Sequence, residues 1–359
     1  MDPSFVRAAY WFASTNAELP SANIDANFFT HLFCGYAIVN PQTYEVTIDS
    51  SEATIINYFT LTVSLSNPTV KTLLSIKGDG SVLAKMASEP KNRETFIKSS
   101  IKEAKEGTFD GLDLQWLYPS SQEEMENFES LLIEWHSAVV EDARNYHRQQ
   151  LILVAAVSNL PIVHHNIQYP IDTIIQTLDW VNLFSYDFYT PTSSVKCTGP
   201  SSALYNPKTD SLSVNSGIEA WIKCYPNLPS QQIVFGIPFH GWAWKLADRL
   251  QHDVFSEADG AAIGHDISSD GQIYYSNIKK FIESNKAKNL KNDGKYVIGY
   301  TYFDTTWIAY ENEVTIPEKL RLAKSLHVLG YFASNIAADD DVNTLANAAK
   351  ANSWLRLPK

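Results

Sequence analysis

Eight short apolar runs punctuate the chain: VRAAYWF (6–12), FTHLFCGYAIV (29–39), VKTLLSI (70–76), FDGLDLQWL (109–117), LILVAAVS (151–158), WVNLFSY (180–186), IVFGIPF (233–239) and VLGYFAS (328–334). None alternates strictly between apolar and polar, the pattern of strands buried on both faces in a parallel sheet. Helical signals lie between most of them. Ser120 with Glu123 reads as a capping box, followed at helical spacing by Met125, Phe128, Leu131, Leu132, Trp135 and Val139. Phe96, Ile97, Ile101 and Ala104 form a second stripe, which stops at Gly107. Eight strands alternating with helices predict an α/β fold, a (β/α)8 TIM barrel. The seventh gap differs in content. QIYYSNIKKFIES (272–284) and KYVIGYTYFDTTWIAY (295–310) cluster aromatic and β-branched residues as antiparallel strands do, predicting a small α+β insertion over 248–310 between strand seven and its helix. The barrel is then 1–247 and 311–359.

In such a barrel the carboxyl ends of the strands line the mouth where ligands bind. The polar and aromatic residues placed there are Tyr10, Tyr36, Ser75, Lys77, Asp113, Gln115, Tyr186, Asp187, His240 and Ser334, with Trp242 close by. In LDLQWL, Asp113, Gln115 and Leu117 share one face, while Leu114 and Trp116 point to the helix layer. A buried Asp113 therefore needs partners.

Charge narrows the partners. Across 359 residues the formal net charge is -12, and no run of five Lys or Arg occurs, so nothing marks a nucleic-acid or anionic-membrane surface. No apolar stretch reaches the length of a membrane span, and MDPSFVRAAYW lacks a basic-then-apolar leader, so a cytoplasmic location is expected for the chain as written, and a secreted or vacuolar one if a leader has been removed. The absence of an Asn-X-Ser/Thr sequon agrees with the former. Of the three cysteines, Cys34 reads as a buried free thiol, while Cys197 and Cys224 are far enough apart in sequence to bridge or stay free. No zinc spacing is present, His164 and His165 read as a solvated loop pair, and neither a metal nor a cofactor is expected.

FDGLDLQWLYP resembles the strand of glycoside hydrolase family 18 whose pattern is Asp-x-x-Asp-x-Asp-x-Glu, in particular that of plant class V chitinases. YWFAS, FTHLFCGYA, LLSIKG, LVAAVSNLP, NLFSYDFY, GIPFHGWAWKL and LGYFAS extend the likeness over nearly the whole chain. The resemblance implies that Gln115 stands at the middle Asp, which with a Tyr (here Tyr186) holds the substrate's N-acetyl group. It also implies that Leu117 stands at the proton-donating Glu. Three further departures accompany these. Lys77 replaces a Gly, His240 replaces a Tyr, and Ser334 replaces the Trp under the reactive sugar; the changes at strands three, four and eight are expected to converge on one pocket. Leucine donates no proton, and losing a general acid forfeits about 10² to 10⁴ in rate, so chitinase activity is not expected.

Three readings remain open. The chain is a carbohydrate-binding, lectin-like protein for N-acetylglucosamine-containing glycans, or its pocket has been repurposed to bind or transform a partly apolar small molecule, or it is a storage or inhibitor protein. Asp113, Asp187 and His240 are the residues left for acid–base chemistry, and Lys77 either faces the mouth or pairs with Asp110 or Asp113.

Overall fold

The computed structural model describes residues 5–14, 18–164, 166–208, 212–224 and 228–353. All eight apolar runs contain strands: Val6–Phe12, His31–Val39, Lys71–Lys77, Gly111–Gln115, Ile152–Ser158, Trp180–Phe184, Ile233–Ile237 and Gly330–Ala333. They are hydrogen-bonded in the order 1-8-7-6-5-4-3-2, and strand 1 also pairs with strand 2, which closes an eight-stranded parallel barrel. The predicted (β/α)8 fold is the observed one.

The chain folds into two compact units. One comprises 1–184, 220–234 and 328–332; the other comprises 185–219, 235–327 and 333–359. In the first, the aromatic rings of Tyr10, Phe33, Phe184 and Phe332 fill the space inside the strands. Tyr10 stacks on Phe33 with centroids 4.5 Å apart and meets Phe332 edge-on at 5.4 Å. Gly330 has a steric reason to be glycine, since a Cβ there would fall 1.8 Å from the Val6 carbonyl oxygen on the neighbouring strand.

The helix Pro90–Glu106 buries Phe96, Ile97, Ile101 and Ala104, and the helix Gln122–Asn145 buries the whole stripe from Met125 to Val139 that its spacing predicts. Its cap is one residue later than expected. Ser121 Oγ accepts from Glu124 N–H, and the Glu124 carboxylate accepts from both the N–H and the hydroxyl of Ser120. Two adjacent serines and two adjacent glutamates satisfy the capping-box pattern in either register, so spacing alone does not choose between them.

The second unit contains an antiparallel sheet in the order Ala258–Ala261, His240–Leu246, Thr306–Tyr310, Gly299–Phe303, Lys288–Leu290, with Gln272–Tyr274 also paired to His240–Leu246. This sheet begins at His240, upstream of the boundary expected at 248. The sign of it is the period-two run Trp242, Trp244, Leu246, whose buried face packs with Tyr296, Tyr300 and Trp307. In the same unit Lys319 and Glu311, both essentially inaccessible, form an ion pair that Ser202 and Thr315 complete.

The thiols of Cys34, Cys197 and Cys224 are all free, so Cys197 and Cys224 do not form a bridge. Among the described residues no helix is long and apolar enough to cross a membrane.

Candidate functional site

In the first unit, parallel register sets strand ends side by side: Ser75 lies beside Asp113, and Lys77 beside Gln115. Alternation then directs Asp113 inward, where it is fully buried. A carboxylate in such a place needs donors. Asp113 Oδ2 has three, the Ser75 hydroxyl at 2.6 Å, the Tyr10 hydroxyl at 3.0 Å and the Gln115 amide at 3.4 Å. Oδ1 has none among the described residues. Burial outweighs these bonds and pushes the carboxyl up to about 6.

Tyr10 is placed by Asn182 of the sixth strand, whose amide donates to the Tyr10 hydroxyl at 2.7 Å. Gln115 in turn accepts from the Tyr36 hydroxyl at 3.3 Å, which fixes the orientation of its amide. Lys77 pairs with neither Asp110 nor Asp113. Its ammonium sits 3.9 Å over the Tyr36 ring, and Asp110 is taken by Lys71 at 2.7 Å. Leu117 lies beyond the end of the fourth strand, half-buried, and its carbonyl accepts from the Tyr169 hydroxyl. Trp116 points into the helix layer against Phe128. Tyr10, expected as part of an open lining, is instead buried as a positioning group for Asp113.

In the second unit a different set meets. Asp187 has a left-handed backbone, φ 58°, and its Oδ1 accepts from His240 Nε2 at 2.9 Å and from Trp242 Nε1 at 2.7 Å. The other imidazole nitrogen of His240 lies 3.1 Å from the Ser334 hydroxyl, which also accepts from the Phe239 backbone N–H at 3.2 Å. Tyr186 presents its ring edge-to-face to His240, with centroids 5.9 Å apart. Trp242, expected close to the mouth, is 6% accessible and belongs to the core of the sheet.

The expected site residues thus fall into two hydrogen-bonded sets, one around Asp113 and one around His240. Among the described residues no group of three His, Cys, Asp or Glu side chains is arranged to hold a metal. His164 is exposed, whereas His165 lies outside the described residues.

The family model for Glycosyl hydrolases family 18 matches residues 6–339. The chain belongs to glycosyl hydrolase family 18. Its relatives include a class V chitinase of Arabidopsis thaliana, 42% identical over 99% of this chain and 91% of that one. The class V chitinase of Nicotiana tobaccum, solved as a variant in complex with NAG4, superposes with a TM-score of 0.92 at 37% identity, covering 98% of this chain and all of that one. A chitinase-like agglutinin from Robinia pseudoacacia, RobpsCRA, superposes with a TM-score of 0.85 at 34% identity over 97% and 99% of the two chains.

Two features of this family 18 chain escape a linear reading. Asn182 is a polar residue within the apolar run WVNLFSY, which is the only sequence signal that it serves a site. The Ser334–His240 hydrogen bond joins residues 94 positions apart, so no local pattern links them until the fold brings them together.

Proposed function

We propose that this family 18 chain is non-hydrolytic and binds N-acetylglucosamine-containing glycans. The observation that carries the reading is the chemistry at the end of the fourth strand. Its inward carboxylate, Asp113, is sealed among Ser75, Tyr10 and Gln115. The two positions beyond it on the same face hold a neutral amide and a hydrocarbon. Leu117 offers no proton to a leaving oxygen. Gln115 can hydrogen-bond an N-acetyl group but carries no charge to stabilise a cationic intermediate.

Binding makes weaker demands than catalysis, since it needs only hydrogen-bonding groups and aromatic surface, and Tyr36, Gln115 and Lys77 supply both. Relatives solved with N-acetylglucosamine oligomers, from Nicotiana tobaccum and Cycas revoluta, and the agglutinin from Robinia pseudoacacia support the reading. Calorimetric titration with tetra-N-acetylchitotetraose tests it. Saturable binding that is weakened by Gln115→Ala is expected, and a flat titration at millimolar oligomer would overturn it.

A further inference from the structure

The second cluster has a specific geometry of its own. Ser334, His240 and Asp187 form an unbroken chain: hydroxyl to imidazole Nδ1 at 3.1 Å, then Nε2 to carboxylate at 2.9 Å. We propose that Ser334, His240 and Asp187 act as a nucleophile–base–carboxylate relay that gives this chain an acyl-transfer activity, cleavage of carboxylic esters.

The proton positions follow from what each group can do. In the resting state proposed, Asp187 is the acceptor and His240 is neutral, so Nε2 carries the hydrogen and Nδ1 turns its lone pair toward the Ser334 hydroxyl. Serine then donates to Nδ1, and its oxygen accepts from the Phe239 N–H. The two ring nitrogens are used in the reverse of their familiar order. The chemistry requires only that one nitrogen face the nucleophile and the other the carboxylate. Trp242 Nε1 donates to the same Asp187 oxygen at 2.7 Å and so fixes the carboxylate that orients the ring.

Neither His240 nor Ser334 is exposed. They bond to each other, so one of them alone would leave a polar group without this partner. Ser334 retains 7% of its accessible surface and His240 6%. This shields the imidazole from bulk water.

In the step proposed, Ser334 Oγ bonds to the ester carbonyl carbon while its proton passes to His240 Nδ1. Collapse of the tetrahedral adduct breaks the carbon–alkoxy bond, and His240 returns the proton to the departing alcohol. Water repeats the sequence on the acyl-serine, releasing the acid and restoring the hydroxyl. No oxidant, reductant or metal enters the balance.

A fluorophosphonate probe reports such a serine directly. The full chain is treated with the probe, the adduct is located by peptide mass spectrometry, and p-nitrophenyl acetate hydrolysis is followed in parallel. The expected result is an adduct on Ser334 that is absent after urea unfolding and absent from Ser334→Ala. Asp187→Asn and His240→Gln, each checked for an unchanged thermal transition, should slow labelling and ester hydrolysis by about 100-fold or more. Wild-type protein that leaves Ser334 unmodified, or a labelling rate indifferent to a folded Asp187→Asn or His240→Gln, would overturn the proposal and reduce the three groups to a static polar plug.

Discussion

At Asp113 the barrel interior keeps a carboxylate that it only partly compensates. Three donors converge on one oxygen, yet desolvation wins and the carboxyl sits at about 6. An unfolded Asp ionises near 3.9, so the folded state prefers the protonated form. This preference adds stability in full below the unfolded value, and the addition is lost as pH rises through about 6, amounting to about 3 kcal/mol in all. Asp113→Asn removes the titration. Urea denaturation of both proteins at pH 4 and pH 7 should show the variant gaining about 2 kcal/mol on the wild type between the two, the part of that loss which falls in the window; parallel behaviour would mean that Asp113 is solvated. A second expectation concerns Leu117. Introducing an acid by Leu117→Glu should leave chito-oligomer turnover at background, because Gln115 lacks the charge with which that acid would act and such groups are grossly non-additive. Product analysis by mass spectrometry checks this, and appreciable cleavage by the single variant would mean that the rest of the machinery is complete.

At the scale of elements, what can be read in the chain and what cannot divide along physical lines. Strands buried on both faces announce themselves as apolar runs, and all eight do so. The stripe from Met125 to Val139 marks a helix face because a 24-residue amphipathic helix repeats its signal many times over. A cap rests on a single hydrogen-bond pair, so its register is ambiguous between Ser120 and Ser121. The start of the second sheet escapes for a related reason: HGWAWKL follows IVFGIPF directly, so its short alternation merges with the apolar run before it. Buried ion pairs leave no local trace either. Lys319 and Glu311 look like ordinary charges in sequence, yet both are buried. Lys319→Met should cost about 3–5 kcal/mol in chemical denaturation, since it strands a buried carboxylate, and Lys319→Met with Glu311→Gln should recover much of that. Equal losses in the single and double variants would show that the pair's charges are not what matters there.

For the whole molecule, fold and family follow from features spread over residues 6–339, whereas function depends on a few positions. Gln115 ends a strand whose ladders are intact, with Leu117 just beyond it, and a TM-score of 0.92 to a class V chitinase speaks to the fold and not to the chemistry at those two positions. Side chains, rather than the fold, set the two hydrogen-bonded clusters apart: in one unit a sealed carboxylate and a lysine stacked on a tyrosine, in the other a Ser–His–Asp chain that no local pattern contains. The central claim is that the chain does not hydrolyse chitin oligomers. The purified protein should be incubated with tetra-N-acetylchitotetraose beside an active plant class V chitinase, and the oligomer lengths followed by mass spectrometry. The tetramer should stay intact while the control consumes it; shorter oligomers appearing in proportion to protein concentration, after chromatographic exclusion of a contaminating chitinase, would contradict the account.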